Sequence, residues 1–191
     1  MYVHPINNTN FRAKIVKEVP ILKKTGCSGY KNASANLVEF DITNSADMEK
    51  IKEISRLPGF ALYGYEIYQS LLPENNNSIT KHCFALVNDS QMYSSKIDND
   101  NVLGLFTFRE RSEKEYPDEV ALFITNQQFR TRWYRNEREN KFLHVGEGMA
   151  EALKSIFPYK SIKCFSEAGA VNFWKKCGFQ EVAERSLLLK R

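Results

Sequence analysis

Two stretches decide the reading of the fold: His144-Val145-Gly146-Glu147-Gly148-Met149-Ala150-Glu151-Ala152-Leu153 and Ala170-Val171-Asn172-Phe173-Trp174-Lys175-Lys176-Cys177-Gly178-Phe179. The first is a glycine-containing turn that opens an amphipathic helix. Met149, Leu153, Ile156 and Phe157 recur at helical spacing and predict one face pressed onto a sheet. After a short strand, the second stretch predicts another helix, closed by Gly178. A helix start rich in glycine presents unpaired backbone N–H groups, and this arrangement suits a phosphate ester.

Working outward, Ser161 to Phe165 predicts the strand between these helices, and a final strand is expected within Phe179 to Leu189. Upstream, Lys81 to Val87, Val102 to Phe108 and Val120 to Thr125 are strand-like, separated by the polar stretches Asp89 to Asn101 and Arg109 to Asp118. Such spacing predicts an antiparallel meander. Before it, Leu37 to Ile42 reads as a strand. Asn44 or Ser45 can cap a helix carrying Met48, Ile51 and Ile54, which Pro58-Gly59 ends. A second, aromatic helix over Tyr63 to Leu72 places Tyr65, Tyr68, Leu71 and Leu72 on a shared face and stops at Pro73, before the polar run Asn75 to Ser78. Residues 1 to 36 read as an N-terminal extension, with a strand over Phe11 to Val19 and a turn around Thr25 to Ser34. The domain proper is expected at 37 to 191.

Composition narrows the class. The 191 residues, 42% hydrophobic and 13% aromatic, fit one globular domain. A net charge of +4, from 27 Lys and Arg against 23 Asp and Glu, is too small to imply nucleic acid but is compatible with an anionic ligand. Cys27, Cys83, Cys164 and Cys177 lack CxxC spacing, so reduced, buried thiols are expected and no metal site. No stretch approaches the length of a membrane span, and the N-terminus lacks the apolar run of a signal peptide; the expectation is a cytoplasmic protein.

The order of strand, two helices, three antiparallel strands, helix, strand, helix and strand, closed by Phe173-Trp174-Lys175-Lys176-Cys177-Gly178-Phe179, resembles the GNAT superfamily of acyl-CoA-dependent N-acetyltransferases. That family's closing motif commonly reads Phe-Tyr-x-Lys-x-Gly-Phe, and Trp174 stands at the tyrosine position. Ile124 to Arg130 is similar to the strand end and turn that precede the family's pyrophosphate loop. The loop signature begins with Arg or Gln, where this chain has Leu143, and continues through Gly146 and Gly148. Thr131 to Phe142 stands between turn and signature like an insertion, and Glu167 takes a position where Asn is frequent. The resemblance covers about Leu37 to the C-terminus.

It implies an α/β, GNAT-like fold, with a mixed, mostly antiparallel central sheet flanked by helices. It also implies transfer of an acetyl group from acetyl-CoA to a primary amine by direct attack. Val145, Gly146, Glu147, Gly148 and Met149 would offer backbone donors to the pyrophosphate, with Gly146 and Gly148 sparing the phosphates a Cβ. Phe123, Ile124 and Thr125 would lie along the pantetheine, Ser166 on the opposite wall, and Trp174 would pack on the cofactor or only on the protein. Glu119, opening the strand that leads to the acyl site, is the candidate base, with Glu110 behind it. An indole cannot supply a proton at neutral pH, so the departing thiolate would take one from Tyr134, Tyr159 or solvent. His144 reads as a helix-start residue, and His4 and His82 show no partners in the sequence.

Arg130, Arg132, Arg135, Arg138 and Lys141, with Trp133 and Tyr134, form a solvated loop, a phosphate clamp or a patch for an acidic partner. The expected partner is a small-molecule or peptide amine acceptor, with a homodimer left open. Two rivals stand beside the enzyme reading: a non-catalytic acyl-CoA-binding sensor or interaction module, and a weaker nucleic-acid-associated role through the arginines.

Overall fold

The computed structural model describes residues 12–25, 29–73, 78–88, 101–126 and 142–191. Its chain order is β1 (Lys14–Thr25), β2 (Gly29–Phe40), α1 (Ser45–Ser55), a 3-10 turn (Pro58–Phe60), α2 (Gly64–Leu71), β3 (Ile79–Val87), β4 (Val102–Arg111) and β5 (Asp118–Thr125). Then come β6 (Phe142–Leu143), α3 (Val145–Ile156), β7 (Ile162–Phe165), a second 3-10 turn (Ala168–Ala170), α4 (Val171–Lys176), β8 (Gln180–Ala183) and β9 (Ser186–Leu189). The described strands form one nine-stranded sheet in the order β6-β1-β2-β3-β4-β5-β7-β9-β8. Among the described strands, only β5 and β7 pair in parallel. The class is therefore α/β with a mostly antiparallel sheet, and strands outweigh helices. No helix among the described residues is long and apolar enough to cross a membrane.

The sheet carries a core on each face. On one side, Val19, Leu37, Phe84, Phe106, Phe108 and Leu187 meet Met149 and Leu153 of α3 and Trp174 of α4. On the other, Val38, Phe40, Val87, Leu105 and Ile124 meet Ile51 and Ile54 of α1, Phe60, and Ile67 and Leu71 of α2. Because both faces are covered, β3 is apolar without interruption over Cys83 to Val87, and β4 over Val102 to Phe106.

Local chemistry explains most boundaries. Asn44 caps α1, its Oδ1 accepting from the N–H groups of Ala46 and Asp47 at 3.0 and 3.1 Å. Asp47 is fully buried, and its carboxylate accepts from the N–H groups of Arg12 and Asp41, tying α1 to the ends of β1 and β2. In α2 the expected aromatic face is corrected: Ile67 and Leu71 are the buried pair, whereas Tyr65 is exposed.

The N-terminal region differs more. Lys14 to Thr25 is a full strand of the sheet, and the expected turn from Thr25 to Ser34 is mostly strand, because β2 starts at Gly29. Asn32, Ser34 and Asn36 supply its polar side, while Ala33, Ala35 and Leu37 face the core, a period of two that the Gly and Ser content conceals. A bulge between Ile15 and Lys17 turns Val16 toward the core and leaves Ile15 exposed. At the other end, the single expected strand is a hairpin of β8 and β9, turning at Glu184 and Arg185, the latter at φ 57°. Phe11, Asn75 to Asn77, Asp89 to Asp100, Cys27, His4 and the insertion before Phe142 lie outside the described residues.

Helix α3 approaches the sheet closely through Gly148, where an added Cβ would stand 2.7 Å from Val19 Cγ1 and 3.1 Å from the Pro20 carbonyl oxygen. The helix therefore needs glycine there to lie against β1. Alanine gains about 1 kcal/mol in helix propensity over glycine, but overpacking against a β-branched strand residue and backbone costs about 1–3 kcal/mol. Gly148→Ala should therefore destabilise the protein in urea melts, whereas Gly169→Ala, with open space around its Cβ, should not. A rise in midpoint for Gly148→Ala would show that α3 sits farther from the sheet.

Candidate functional site

Strands β5 and β7 hold together at one end and part at the other. Their parallel register comprises Asp118↔Ile162, Glu119↔Lys163 and Val120↔Cys164, and no further pair. The closed end is locked by Asp118, which is buried: its carboxylate accepts from the Arg111 N–H at 2.9 Å and lies 3.3 Å from Lys160 Nζ. Between β4 and β5 the register runs Thr107↔Leu122 and then Phe108↔Val120, leaving Ala121 as an extra residue. A bulge of this kind bends and twists its strand. Beyond it β5 stays with β4 as far as Thr125, while Ser166, just past β7, donates its N–H to the Arg185 carbonyl. Past Val120 the β5 edge is paired with no described strand, and the opening between it and the end of β7 is the candidate cleft.

Helix α3 points its leading end at the open side of this cleft. The position of a Cβ on Gly146 would be 3.6 Å from Thr125 Cγ2 and 3.1 Å from the Phe173 ring. Val145, Gly146 and Glu147 are first-turn residues whose N–H groups have no carbonyl four residues back within the helix. Gly148 N–H already bonds the His144 carbonyl at 2.9 Å, and Met149 N–H falls within the helical ladder. The donor set is therefore smaller than the sequence indicates. His144 holds a left-handed conformation at φ 60°, with its ring 3.9 Å from the Glu147 carboxylate.

The expected cofactor residues separate into groups. Phe123, Thr125, Gly146 and Trp174 converge on the α3 side of the cleft, where Phe123 and Trp174 meet edge to face at 4.8 Å between centroids. Trp174 is buried against Phe123, Phe173 and Phe179, and these contacts are packing. Ser166 stands on the opposite wall, buried, with its hydroxyl donated to the Glu167 carbonyl. Ile124 faces the other core, beside α1 and α2. Val145 and Met149 bury their side chains in the core, Met149 against Gly104. Gly148 spares β1 a Cβ and donates its own N–H to the His144 carbonyl, so helix packing accounts for its glycine.

Glu119 lies two residues before the bulge, with its carboxylate 3.7 Å from Arg111 Nη2. Glu110 stands elsewhere, on the α3 side of β4, where its carboxylate is 3.3 Å from His82 Nε2. The other nitrogen of His82 is 2.8 Å from Glu39 Oε1, and Glu39 also pairs with Lys14 at 3.0 Å. His82 thus has two carboxylate partners that no sequence pattern marks, since they come from neighbouring strands. Tyr63 is a further residue that pattern reading misses: its hydroxyl donates to Glu167 at 2.8 Å across 104 residues of chain.

The described thiols Cys83, Cys164 and Cys177 are free and buried. Burial pushes Cys164 up to about 12 and Cys177 up to about 11, as expected of inert core thiols. The arrangement as a whole offers an open strand edge to an amide-bearing chain and N–H donors to an anion at its end. No protein-family model, curated protein or solved structure matches the chain.

Hydrogen bonding from His82, and secondarily pairing with Lys14, holds the Glu39 carboxyl below its ordinary 4.5. A lowered carboxyl contributes stability that is complete above the unfolded value and lost as pH falls through the folded one. Wild-type stability should therefore drop more steeply below pH about 4.5 than that of Glu39→Gln, as read by urea melts. Parallel curves would show that the cluster contributes nothing to acid sensitivity.

Proposed function

We propose that the cleft between β5 and β7 binds acetyl-CoA and that the protein transfers its acetyl group to a primary amine, in a GNAT-like arrangement. The observation that carries this reading is the parting of the two strands after Val120, with the first turn of α3 lying at the open end. The succession of elements from β2 onward supports the reading, as does the closing motif. Acetyl-CoA supplies an activated thioester on an amide-bearing arm ending in a pyrophosphate. The β5 edge past Ala121 would bond the arm as another strand would. Val145, Gly146 and Glu147 would donate N–H groups to the pyrophosphate. Phe123, Phe173 and Trp174 close the α3 side with apolar rings and keep water from it.

Glu119 projects from β5 on the side opposite Val120 and Phe123, toward α1 and α2, just before the cleft opens. There it takes one proton from the arriving ammonium. The amine nitrogen then attacks the thioester carbonyl carbon; the C–N bond forms, the C–S bond breaks, and the second amine proton leaves with the thiolate as thiol. Binding without turnover is the alternative, favoured by Trp174 being packed where a phenol would serve as acid and by the Arg111 neighbour of Glu119.

Acetyl-CoA at a hundredfold excess over its dissociation constant should stabilise the protein by about 2.7 kcal/mol, seen as a shift in thermal melts. Glu147→Gln, which removes an exposed negative charge from the first turn, should tighten acetyl-CoA by roughly two- to fivefold in calorimetry. No melting shift with millimolar acetyl-CoA or CoA, in protein purified free of nucleotide, would remove the assignment.

With an acceptor in hand, Glu119→Gln should lower turnover by roughly 100-fold while leaving CoA affinity unchanged. The loss should shrink at high pH, where more amine is already neutral. Wild-type turnover in this variant from pH 6 to 9 would exclude Glu119 as the base.

A further inference from the structure

Strands β1 and β2 carry a charge pattern that the acetyl-transfer reading leaves unused. Between Glu18 and Glu39 the chain has three lysines, Lys23, Lys24 and Lys31, and no carboxylate. The two strands pair regularly here, with Val19↔Ala35, Ile21↔Ala33 and Lys23↔Lys31 in register. Val19, Ile21, Ala33 and Ala35 belong to the core under α3, and alternate residues of a strand share a face. Lys23 and Lys31 therefore continue that row, exposed and directly opposite each other on the α3 face, whereas Lys24 falls on the other face. Like charges at directly opposed positions destabilise a strand pair. Neither lysine has an acidic partner among the described residues; Glu147, in the first turn of α3, lies 3.9 Å from His144 instead.

The lysine pair lies ahead of α3. Gly148 rests on Val19 and Pro20, while Ser155, two turns on, accepts a hydrogen bond from Lys17, so the helix runs antiparallel to β1 with its first turn toward the lysines. Strand β6 fixes the same geometry: Phe142 pairs with Lys23 and Leu143 with Leu22, and the chain enters α3 from there. Along β1, Lys23 is two residues, about 7 Å, past Ile21, whose Cγ2 would stand 4.0 Å from a Cβ on Gly148. On its other flank the first turn meets Thr125 and Phe173 through Gly146. A ligand that comes past Thr125 and is anchored at this turn has Lys23 and Lys31 in front of it.

We propose that Lys23 and Lys31 bind the phosphate monoester on the ribose of coenzyme A, so that the protein discriminates CoA from its dephospho form. This deepens the acetyl-CoA reading above and rests on it. In that reading the pyrophosphate is held by N–H donors of α3, which leaves the ribose phosphate as the cofactor's other anionic group. A phosphate monoester carries about two negative charges near neutral pH, enough to turn the repulsion between two ammonium groups into a shared attraction.

Calorimetry with CoA and dephospho-CoA tests this. The wild type should bind CoA about tenfold more tightly than dephospho-CoA. Lys23→Ala and Lys31→Ala should each weaken CoA about three- to tenfold and leave dephospho-CoA nearly unchanged, and the double variant should bind the two forms alike. Lys24→Ala, which removes the same charge from the opposite face, should leave the preference intact. Lys31→Glu should raise the melting temperature of the free protein, because it turns a repulsive cross-strand pair into an attractive one, and should weaken CoA. Equal affinity of the wild type for CoA and dephospho-CoA overturns the proposal and leaves the acetyl-CoA reading standing. So does a preference that survives in the double variant or is lost as fully in Lys24→Ala. Failure of the wild type to bind either form overturns both.

Discussion

Between Val120 and Leu122, strand β5 carries one residue more than the stretch of β4 it pairs with, and that surplus at Ala121 cannot be absorbed while β5 stays straight. At the near end the strand is held by Asp118, whose buried carboxylate bonds the Arg111 N–H and faces Lys160. Past the bulge, β5 follows β4 and leaves β7. The parallel pair ends at Val120 and Cys164, and beyond it the β5 edge is paired with no described strand, inside the sheet rather than at its rim. Everything distinctive about the candidate site depends on this parting.

What prevents the cleft from collapsing is aromatic packing on one of its sides. Phe123 reaches out of β5 to Trp174 and Phe173 of α4, and Trp174 continues to Phe179, so that strand and helix are spaced by rings in edge-to-face contact. Helix α3 is set by different means. Gly148 lets it touch β1, Met149 packs against Gly104 of β4, and Gly146 admits the Phe173 ring, so three glycines fix its height over the sheet and the aim of its first turn. The residues that make this helix start attractive as an anion site are thus first of all packing residues. Its binding capacity is a by-product of where packing leaves the N–H groups of Val145, Gly146 and Glu147.

Polar side chains at the sheet are settled by neighbours rather than by solvent. Asp47 gathers two backbone N–H groups at the entrance of α1, and His82 lies between Glu39 and Glu110 with the rings of Phe84, Phe108 and Phe157 around it. This second cluster separates the carboxylates that the sequence left as alternatives. Glu110 belongs to the α3 face and is engaged with His82, whereas Glu119 belongs to the opposite face and lies beside the cleft. Alternation along two adjacent strands is enough to send them to opposite sides.

The sequence by itself determined the succession of helices and strands from Leu37 onward, because apolar periodicity, the Asn44 cap and the glycine and proline breaks act over a few residues and need no distant partner. It also marked Phe123, Thr125, Gly146 and Trp174, of which Phe123 packs on Trp174 and Thr125 lies beside Gly146. It misjudged β2, where small polar residues read as a turn yet alternate with buried Ala33, Ala35 and Leu37, since strand pairing over eleven register positions with β1 outweighs weak local preference. Only the tertiary structure decided the bulge at Ala121, the packing role of Gly148, the partners of His82 and the bond between Tyr63 and Glu167. Each of these depends on which strand lies beside which, or on two groups a hundred residues apart, and such proximity is a property of the folded sheet that no local spacing encodes.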